Sequence, residues 1–191
     1  MFPATLIGFL SATCSRSFKN TVQSTQALSP TPACGDDSTT PSQTEGPFYT
    51  PDSPQRQSLM ESGLAGTPIL VTGQVLSSEC LPIAGALVDC WHTNDQGEYD
   101  NSGYTFRGHQ FTDADGRYSI ETIVPGIYPG RTRHFHIKVQ ARNQPVLTTQ
   151  LYFPDEPANQ DDFIFNPALL MSVKDSDGIK KASFNFVLKT V

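Results

Sequence analysis

Residues 131–139 carry the sequence Arg-Thr-Arg-His-Phe-His-Ile-Lys-Val, and this stretch decides the fold. Successive side chains of a β-strand point to opposite faces, so His134 and His136 share one face. Phe135, Ile137 and Val139 share the other face, which is entirely apolar. The alternation predicts a strand over residues 134–140 that packs its apolar side on a core and turns two imidazoles outward.

Segments of similar length lie on both sides of this strand. Each is rich in β-branched and aromatic residues and is bounded by Gly, Pro, Asn or Asp. They span residues 69–75, 84–91, 117–122, 146–153 and 183–188. The one short helix expected is at residues 167–171. This arrangement predicts an all-β fold, an antiparallel β-sandwich over residues 44–191 that begins with an N-terminal arm.

The composition excludes several classes of function. Hydrophobic residues make up 37% of the 191 residues and charged residues 17%, as in globular proteins. The net charge is -6, and binding to nucleic acid or to an anionic membrane needs a basic surface instead. We therefore expect neither nucleic acid nor an anionic membrane as a partner.

The first residues have a different texture from the rest. Residues 1–14 are a short apolar run that ends in Ala-Thr-Cys, which predicts an export signal or a lipoprotein leader with Cys14 as the lipid-bearing residue. Both alternatives stay open, and both place the protein outside the cytoplasm, whether periplasmic, extracellular or lipid-anchored. Residues 15–43 are rich in Ser, Thr, Pro and Gln and are expected to form a flexible linker.

The cysteine pattern agrees with export. Cys90 lies in an apolar strand pattern and is expected to be a buried free thiol. Cys34 and Cys80 lie in polar, turn-like surroundings, where a disulfide between them is an open alternative in an oxidising compartment. The chain has no Cys-x-x-Cys motif, which disfavours a thiolate zinc site.

His134 and His136 form a bidentate metal platform if they bind a metal, although surface or structural histidines would give the same pattern. Two tyrosines lie nearby in the sequence: Tyr99 follows the strand at 84–91, and Tyr128 stands in a Pro-Gly-Ile-Tyr-Pro turn. A packed aromatic is the commoner role of each, so spacing alone leaves their function open. His92 and His109 are expected to be structural or solvent-facing.

Most of the chain resembles one enzyme family. The similar segments, in chain order, are Thr-Glu-Gly-Pro-Phe-Tyr at 44–49, residues 86–99 with Trp91 and Gly97-x-Tyr99, Phe-Arg-Gly at 106–108, Thr-Asp-Ala-Asp-Gly-Arg-Tyr at 112–118, Pro-Gly-Ile-Tyr-Pro at 125–129, Arg-x-x-His-x-His at 131–136 and Leu-Thr-Thr-Gln-Leu-Tyr-Phe at 147–153. Together they resemble the intradiol ring-cleavage dioxygenases, the family of protocatechuate 3,4-dioxygenase and catechol 1,2-dioxygenase.

The resemblance implies a site and a reaction. It implies non-haem Fe(III) held by Tyr99, Tyr128, His134 and His136, and cleavage of a catechol by O2 to a cis,cis-muconate-type diacid. Hard anionic oxygen donors suit a ferric ion. In the family's pattern Tyr128 also acts in catalysis by leaving the metal when substrate binds. Arg131 would stabilise negative charge on the ring, and Gln150 would position substrate and oxygen. Family members are usually oligomeric, so the resemblance favours a homo-oligomer.

Two alternatives compete with this interpretation. Transthyretin-like and carboxypeptidase-regulatory-like domains share a β-sandwich and several of the turn motifs, and they are non-catalytic binding modules. A zinc site is the second alternative, but it lacks a carboxylate or thiolate at suitable spacing from the two histidines. Catechol-cleaving members usually carry a long helical segment before the sandwich, which favours a protocatechuate-like or exported branch for this chain.

Overall fold

The computed structural model describes residue 1 and residues 39–189. The predicted leader beyond Met1, most of the predicted linker and Cys34 lie outside the described residues. In the described part, the strands are β1 (Pro68–Ser77), β2 (Leu87–Trp91), β3 (Arg107–Phe111), β4 (Arg117–Ile123), β5 (His134–Gln140), β6 (Leu147–Tyr152), β7 (Ser172–Ser176), β8 (Ile179–Ser183) and β9 (Phe186–Leu188). Two short 3₁₀ helices span Pro157–Gln160 and Pro167–Leu169.

The strands form two sheets, so the predicted β-sandwich is confirmed. One sheet has the order β3-β2-β5-β6, and all of its pairings are antiparallel. The other has the order β4-β1-β8-β7, with β9 paired to the far end of β1. In this second sheet β8 and β9 run parallel to β1, which sequence alternation does not reveal.

Strand β5 has the predicted bounds, and its apolar face lies in the core. Phe135, Ile137 and Val139 are each at most 1% exposed. Full burial of a side chain of this size contributes about 1.5–3 kcal/mol. These three residues therefore fix the register of β5, and a shift by one residue would turn His134 and His136 into the core.

The arm crosses the outward face of the four-stranded sheet. It begins at the β6 edge, where the Gln43 amide donates to the Thr148 carbonyl. It ends beyond the β3 edge, where the Leu59 amide donates to Glu121 of β4. Between these points Lys138 of β5 forms an ion pair with Glu45 and lies 3.6 Å from the centroid of the Tyr49 ring. The face that carries the two histidines is therefore covered by the arm.

Three strands were not predicted, and the reasons differ. β7 and β8 are mostly polar, and among their residues only Ala182 is buried, so they lack an apolar alternation. Their connection through Asp177 and Gly178, both at positive φ, has the composition of a tight hairpin turn. β3 contains Arg107 and Gly108, which conceal its strand character. The helix expected at 167–171 is the 3₁₀ turn Pro167–Leu169.

The described cysteines agree with the sequence. Cys90 is free and 1% exposed, and its burial raises the pKa of the thiol. Cys80 is disulfide-bonded, while Cys34, with which pairing was considered, lies outside the described residues. None of the helices in residues 39–189 has the length and apolarity required to cross a membrane.

Candidate active site

Two loops bring the tyrosines together, and a pair of glycines allows the approach. Tyr99 lies between β2 and β3, and Tyr128 lies between β4 and β5. The Gly126 amide donates to the Asn94 carbonyl at 2.7 Å, and a Cβ on Gly126 would lie 2.2 Å from the Gly97 nitrogen. Only glycine fits such a contact. As a result, the Tyr99 and Tyr128 ring centroids are 5.8 Å apart.

The Tyr99 hydroxyl meets the two outward histidines of β5. It lies 3.0 Å from Nε2 of His136 and 3.4 Å from Nε2 of His134. The two Nε2 atoms are 3.1 Å apart. Three potential ligand atoms from two separate elements thus converge on one point, and the Tyr128 ring lies beside the Tyr99 ring.

Burial keeps both imidazoles neutral at physiological pH. Desolvation, with smaller contributions from neighbouring charges, lowers the pKa of His134 to about 4 and that of His136 well below its usual value. Nδ1 of His134 donates to the Thr132 carbonyl at 2.6 Å, which leaves Nε2 as the lone-pair atom. Burial also raises the pKa of Tyr99, so its phenolate form needs a nearby cation.

This donor set fits a ferric ion. Donors bound at right angles around an ion at about 2.1 Å are separated by about 3.0 Å, close to the three distances above. Neutral imidazole nitrogens and a phenol oxygen are ligands that iron accepts. Within residues 39–189 no group of three His, Cys, Asp or Glu side chains is placed to hold a metal ion; the third donor beside the two imidazoles is the Tyr99 hydroxyl.

Aromatic residues enclose the cluster. Trp91 of β2 stacks on His136 with ring centroids 4.8 Å apart and planes at 9°. Phe48 of the arm stacks on Tyr99 at 4.6 Å and meets Tyr128 edge-on at 5.5 Å. The arm therefore supplies one wall of the site and restricts the Tyr99 ring.

The predicted catalytic residues Arg131 and Gln150 touch each other. The Arg131 guanidinium donates to Oε1 of Gln150 at 2.6 Å. Its Nε donates to the buried Asp162 carboxylate at 2.9 Å. Gln150 in turn donates to the Thr44 carbonyl of the arm at 2.9 Å. Arg131 lies close enough to lower the pKa values of both His134 and His136.

The structure therefore brings Tyr99, Tyr128, His134 and His136 together, with Arg131 and Gln150 beside them; their catalytic roles stay predictions. His92 is buried elsewhere, between the Thr93 carbonyl and the Thr122 hydroxyl, as expected of a structural histidine. His109 is half-buried and pairs with Ser53 of the arm.

Sequence reasoning missed several residues that shape the site. They are Phe48, Arg107, Asp162 and the stacking role of Trp91. Arg107 is 1% exposed and donates to the backbone carbonyls of Phe48 and Asp100. No motif in the sequence predicts these contacts, since Arg107 joins Phe48, 59 residues away, to the Asp100 carbonyl in the loop just before β3.

Comparison with known proteins identifies the family. A family model described as dioxygenase matches residues 44–190. The chain belongs to the intradiol ring-cleavage dioxygenase family. It is 52% identical to the dioxygenase domain of a dioxygenase carbohydrate-binding protein fusion from Streptomyces sp. SirexAA-E, with a TM-score of 0.79 over 81% of this chain and 100% of that chain.

More distant members of the family have named activities. Hydroxyquinol 1,2-dioxygenase of Rhizobium sp. (strain MTP-10005) is 31% identical over 63% of this chain and 50% of its own length. The structure of 3-chlorocatechol 1,2-dioxygenase from Rhodococcus opacus 1CP is 29% identical, with a TM-score of 0.75 over 80% of this chain and 73% of that chain. The chain spans about half the length of the first curated relatives that it matches. Membership of this family of ring-cleaving oxidoreductases argues against a transthyretin-like spacer.

Proposed function

We propose that this protein is a non-haem Fe(III) intradiol dioxygenase that cleaves catechol-type aromatic diols with O2. The C–C bond between the two hydroxylated carbons breaks, and both oxygen atoms enter a cis,cis-muconate-type diacid. The observation that carries the proposal is the convergence of Tyr99 Oη, His134 Nε2 and His136 Nε2 at 3.0–3.4 Å from one another. Tyr128 is proposed as the fourth ligand.

The chemistry of the metal and that of the protein are complementary. Bound Fe(III) would supply the electron-withdrawing centre that makes a catecholate ring reactive towards O2. The two imidazoles are neutral and buried, so they contribute lone pairs without adding charge. A ferric ion would offset the cost of ionising the buried Tyr99 phenol.

In this scheme Tyr128 accepts a proton from the diol, and Arg131 stabilises the negative charge that develops on the ring. Tyr128 is half-buried and accessible from solvent, which suits a phenolate that accepts a proton from the incoming diol. Arg131 is held by Asp162 and Gln150, so its guanidinium is oriented before substrate arrives. A preorganised cation stabilises negative charge that develops on the ring.

Colour tests the metal site, and product analysis tests the reaction. Purified protein loaded with ferric iron should be reddish from tyrosinate-to-iron charge transfer, and catechol added without O2 should shift that band. With O2, one equivalent should be consumed per catechol, and the diacid should appear by mass spectrometry. A protein that stays colourless with ferric iron refutes the iron site. A coloured protein that gives no ring-opened product from a panel of catechols refutes the activity.

We also propose that the protein is exported. The disulfide at Cys80 supports an oxidising compartment, where such bonds persist. The alternative of a lipid anchor at Cys14 can be tested by expressing Cys14→Ser in a bacterial host. Release of the variant from the membrane fraction, with wild type retained there, supports lipidation. We propose a homo-oligomer because family members are usually oligomeric, and light scattering can measure the molar mass in solution.

A further inference from the structure

Asp162 is a buried carboxylate beside the proposed iron site. It lies in the segment after the first 3₁₀ helix and is 5% exposed. Its Oδ2 accepts from Nε of Arg131 and from the Thr132 amide, both at 2.9 Å. Its Oδ1 accepts from the Ile164 amide at 3.1 Å. Both oxygens therefore have fixed partners.

The first branch of contacts from Asp162 orients a guanidinium. Asp162 holds Nε of Arg131, and Gln150 Oε1 accepts from its terminal nitrogen at 2.6 Å. That same Oε1 accepts from the Tyr152 hydroxyl at 3.0 Å. Because Asp162 and Gln150 accept hydrogen bonds from opposite ends of the planar guanidinium, rotation of the Arg131 side chain is restricted.

The second branch reaches a histidine. The Thr132 peptide group donates through its N–H to Asp162, and the carbonyl of Thr132 accepts from Nδ1 of His134 at 2.6 Å. This contact fixes the imidazole ring and its tautomer. Asp162 is therefore hydrogen-bonded directly to the Arg131 guanidinium and, through the backbone of Thr132, to the His134 imidazole.

Asp162 is suited to remain charged. Burial opposes its ionisation, but hydrogen bonds from the Thr132 and Ile164 amides and from Arg131 outweigh burial and lower the pKa of the carboxyl. A charged acceptor forms stronger hydrogen bonds than a neutral one of the same shape.

We propose that Asp162 is a positioning residue that fixes the Arg131 guanidinium and the His134 imidazole relative to each other. This inference rests on the proposed ring-cleavage function. Partners that orient the ligands and catalytic groups of metal sites typically change affinity or activity about 10–100-fold when mutated.

Asp162→Asn is the informative variant because it keeps the shape and removes the charge. We expect kcat with catechol to fall about 10–100-fold, with KM nearly unchanged, since Arg131 acts on charge that develops after binding. The affinity for ferric iron, measured by chelator competition through the colour of the protein, should also fall.

Asn159→Ala is the matched control. Asn159 lies in the first 3₁₀ helix, just before Asp162; it accepts from the Thr132 hydroxyl at 2.6 Å and donates to the Phe153 carbonyl at 2.9 Å, so its hydrogen bonds bypass Arg131. We expect a lower melting temperature for this variant, with kcat and iron affinity close to those of wild type. If both variants lose stability equally and neither changes kcat or iron affinity, Asp162 is merely structural and the proposal is wrong.

A double-mutant cycle with Arg131→Gln separates positioning from general damage. If Asp162 acts on turnover through Arg131, Asp162→Asn should cause only a small additional decrease in kcat when Arg131→Gln is already present. Fully additive losses would contradict this branch. If wild type itself does not cleave catechols, the proposed function fails, and the iron affinities of Asp162→Asn and Asn159→Ala still decide whether Asp162 positions His134.

Discussion

Gly126 and Gly97 touch through their backbones, and this contact sets the distance between the two tyrosines of the site. A Cβ on Gly126 would lie 2.2 Å from the Gly97 nitrogen and 2.6 Å from the Asp95 carbonyl oxygen. A Cβ on Gly97 would lie 2.2 Å from the carbonyl oxygen of Ile127, the residue before Tyr128. Backbone atoms cannot give way as a flexible side chain does.

Gly126→Ala should therefore separate the loops and weaken the site. We expect the free energy of unfolding to fall by about 1–3 kcal/mol or more, the cost typical of overpacking. The affinity for ferric iron should also fall. Denaturant unfolding and iron titration measure the two effects.

Gly130→Ala is the control for this prediction. It lies in the same loop at φ 79°, with nothing within 4 Å of the added Cβ. It should cost only the about 1–2 kcal/mol of a left-handed backbone and leave iron binding intact. Equal iron binding by Gly126→Ala and wild type would contradict the role given to the glycine contact.

The positions of the two histidines of the site follow from strand alternation, whereas those of the two tyrosines do not. Alternation along β5 places His134 and His136 on one face, and the structure agrees because Phe135, Ile137 and Val139 hold the register. The position of Tyr99 beside them depends on a loop contact between residues about thirty apart in sequence, which no periodicity encodes. For the tyrosines, family resemblance supplied what local physics could not.

The same division holds for the fold. Segments with an apolar buried face were predicted from alternation, whereas β3, with its buried Arg107 and Gly108, and the polar β7–β8 hairpin were missed. The Asp177-Gly178 turn of the hairpin was a usable signal, since both residues take positive φ. Asp162 offered no such signal: an acidic residue in a loop has the same local pattern whether it faces solvent or forms an ion pair with a partly buried arginine.

Tyr128→Phe removes the proposed ligand that also accepts a proton. We expect the charge-transfer band of the ferric protein to weaken and shift, because one of two phenolates is lost. General acid–base groups typically contribute about 10²–10⁴-fold to the rate, so kcat should decrease by a factor of up to about 10⁴. Absorption spectra and O2 uptake provide the two measurements.

Tyr104→Phe serves as its control. Tyr104 is 38% exposed and donates its hydroxyl to the Pro51 carbonyl, outside the donor cluster. Its loss should leave the colour unchanged. A Tyr128→Phe protein with the wild-type spectrum would show that Tyr128 is not a ligand.

Arg107→Met should detach the arm from the Tyr99 loop. The Arg107 guanidinium donates to the Phe48 carbonyl at 2.6 Å and to the Asp100 carbonyl at 2.7 Å. Hydrogen bonds to a charged group contribute about 1.5–3 kcal/mol each, so the loss of these contacts should cost about 3 kcal/mol or more. Limited proteolysis should cut the arm faster in the variant.

Arg117→Met is a suitable comparison for Arg107. The Arg117 side chain is 55% exposed and pairs with Asp115 on the surface. Exposed ion pairs are worth about 0–1 kcal/mol, so stability and arm cleavage should barely change. If both arginine variants behave alike, Arg107 does not anchor the arm.

His92 makes the stability of the metal-free protein depend on pH. Burial lowers the pKa of His92 to about 3, whereas an unfolded histidine has a pKa of about 6.5. Between these values the unfolded chain binds a proton that the folded protein excludes. The free energy of unfolding should therefore fall as pH decreases below 6.5, by about 1.4 kcal/mol per pH unit for this residue.

His92→Gln isolates this contribution, because glutamine does not titrate. The variant should be less stable than wild type at pH 7, since His92 bonds the Thr93 carbonyl and the Thr122 hydroxyl, each at 2.7 Å. Its stability should nevertheless decline less steeply with acid, since the contribution of His92 is removed. The buried His134 and His136 account for the slope that remains. Urea titrations of both metal-free proteins from pH 7 to pH 4 give the two slopes. Parallel slopes would mean that His92 is protonated in the folded state, which its burial between Phe106 and Phe135 opposes.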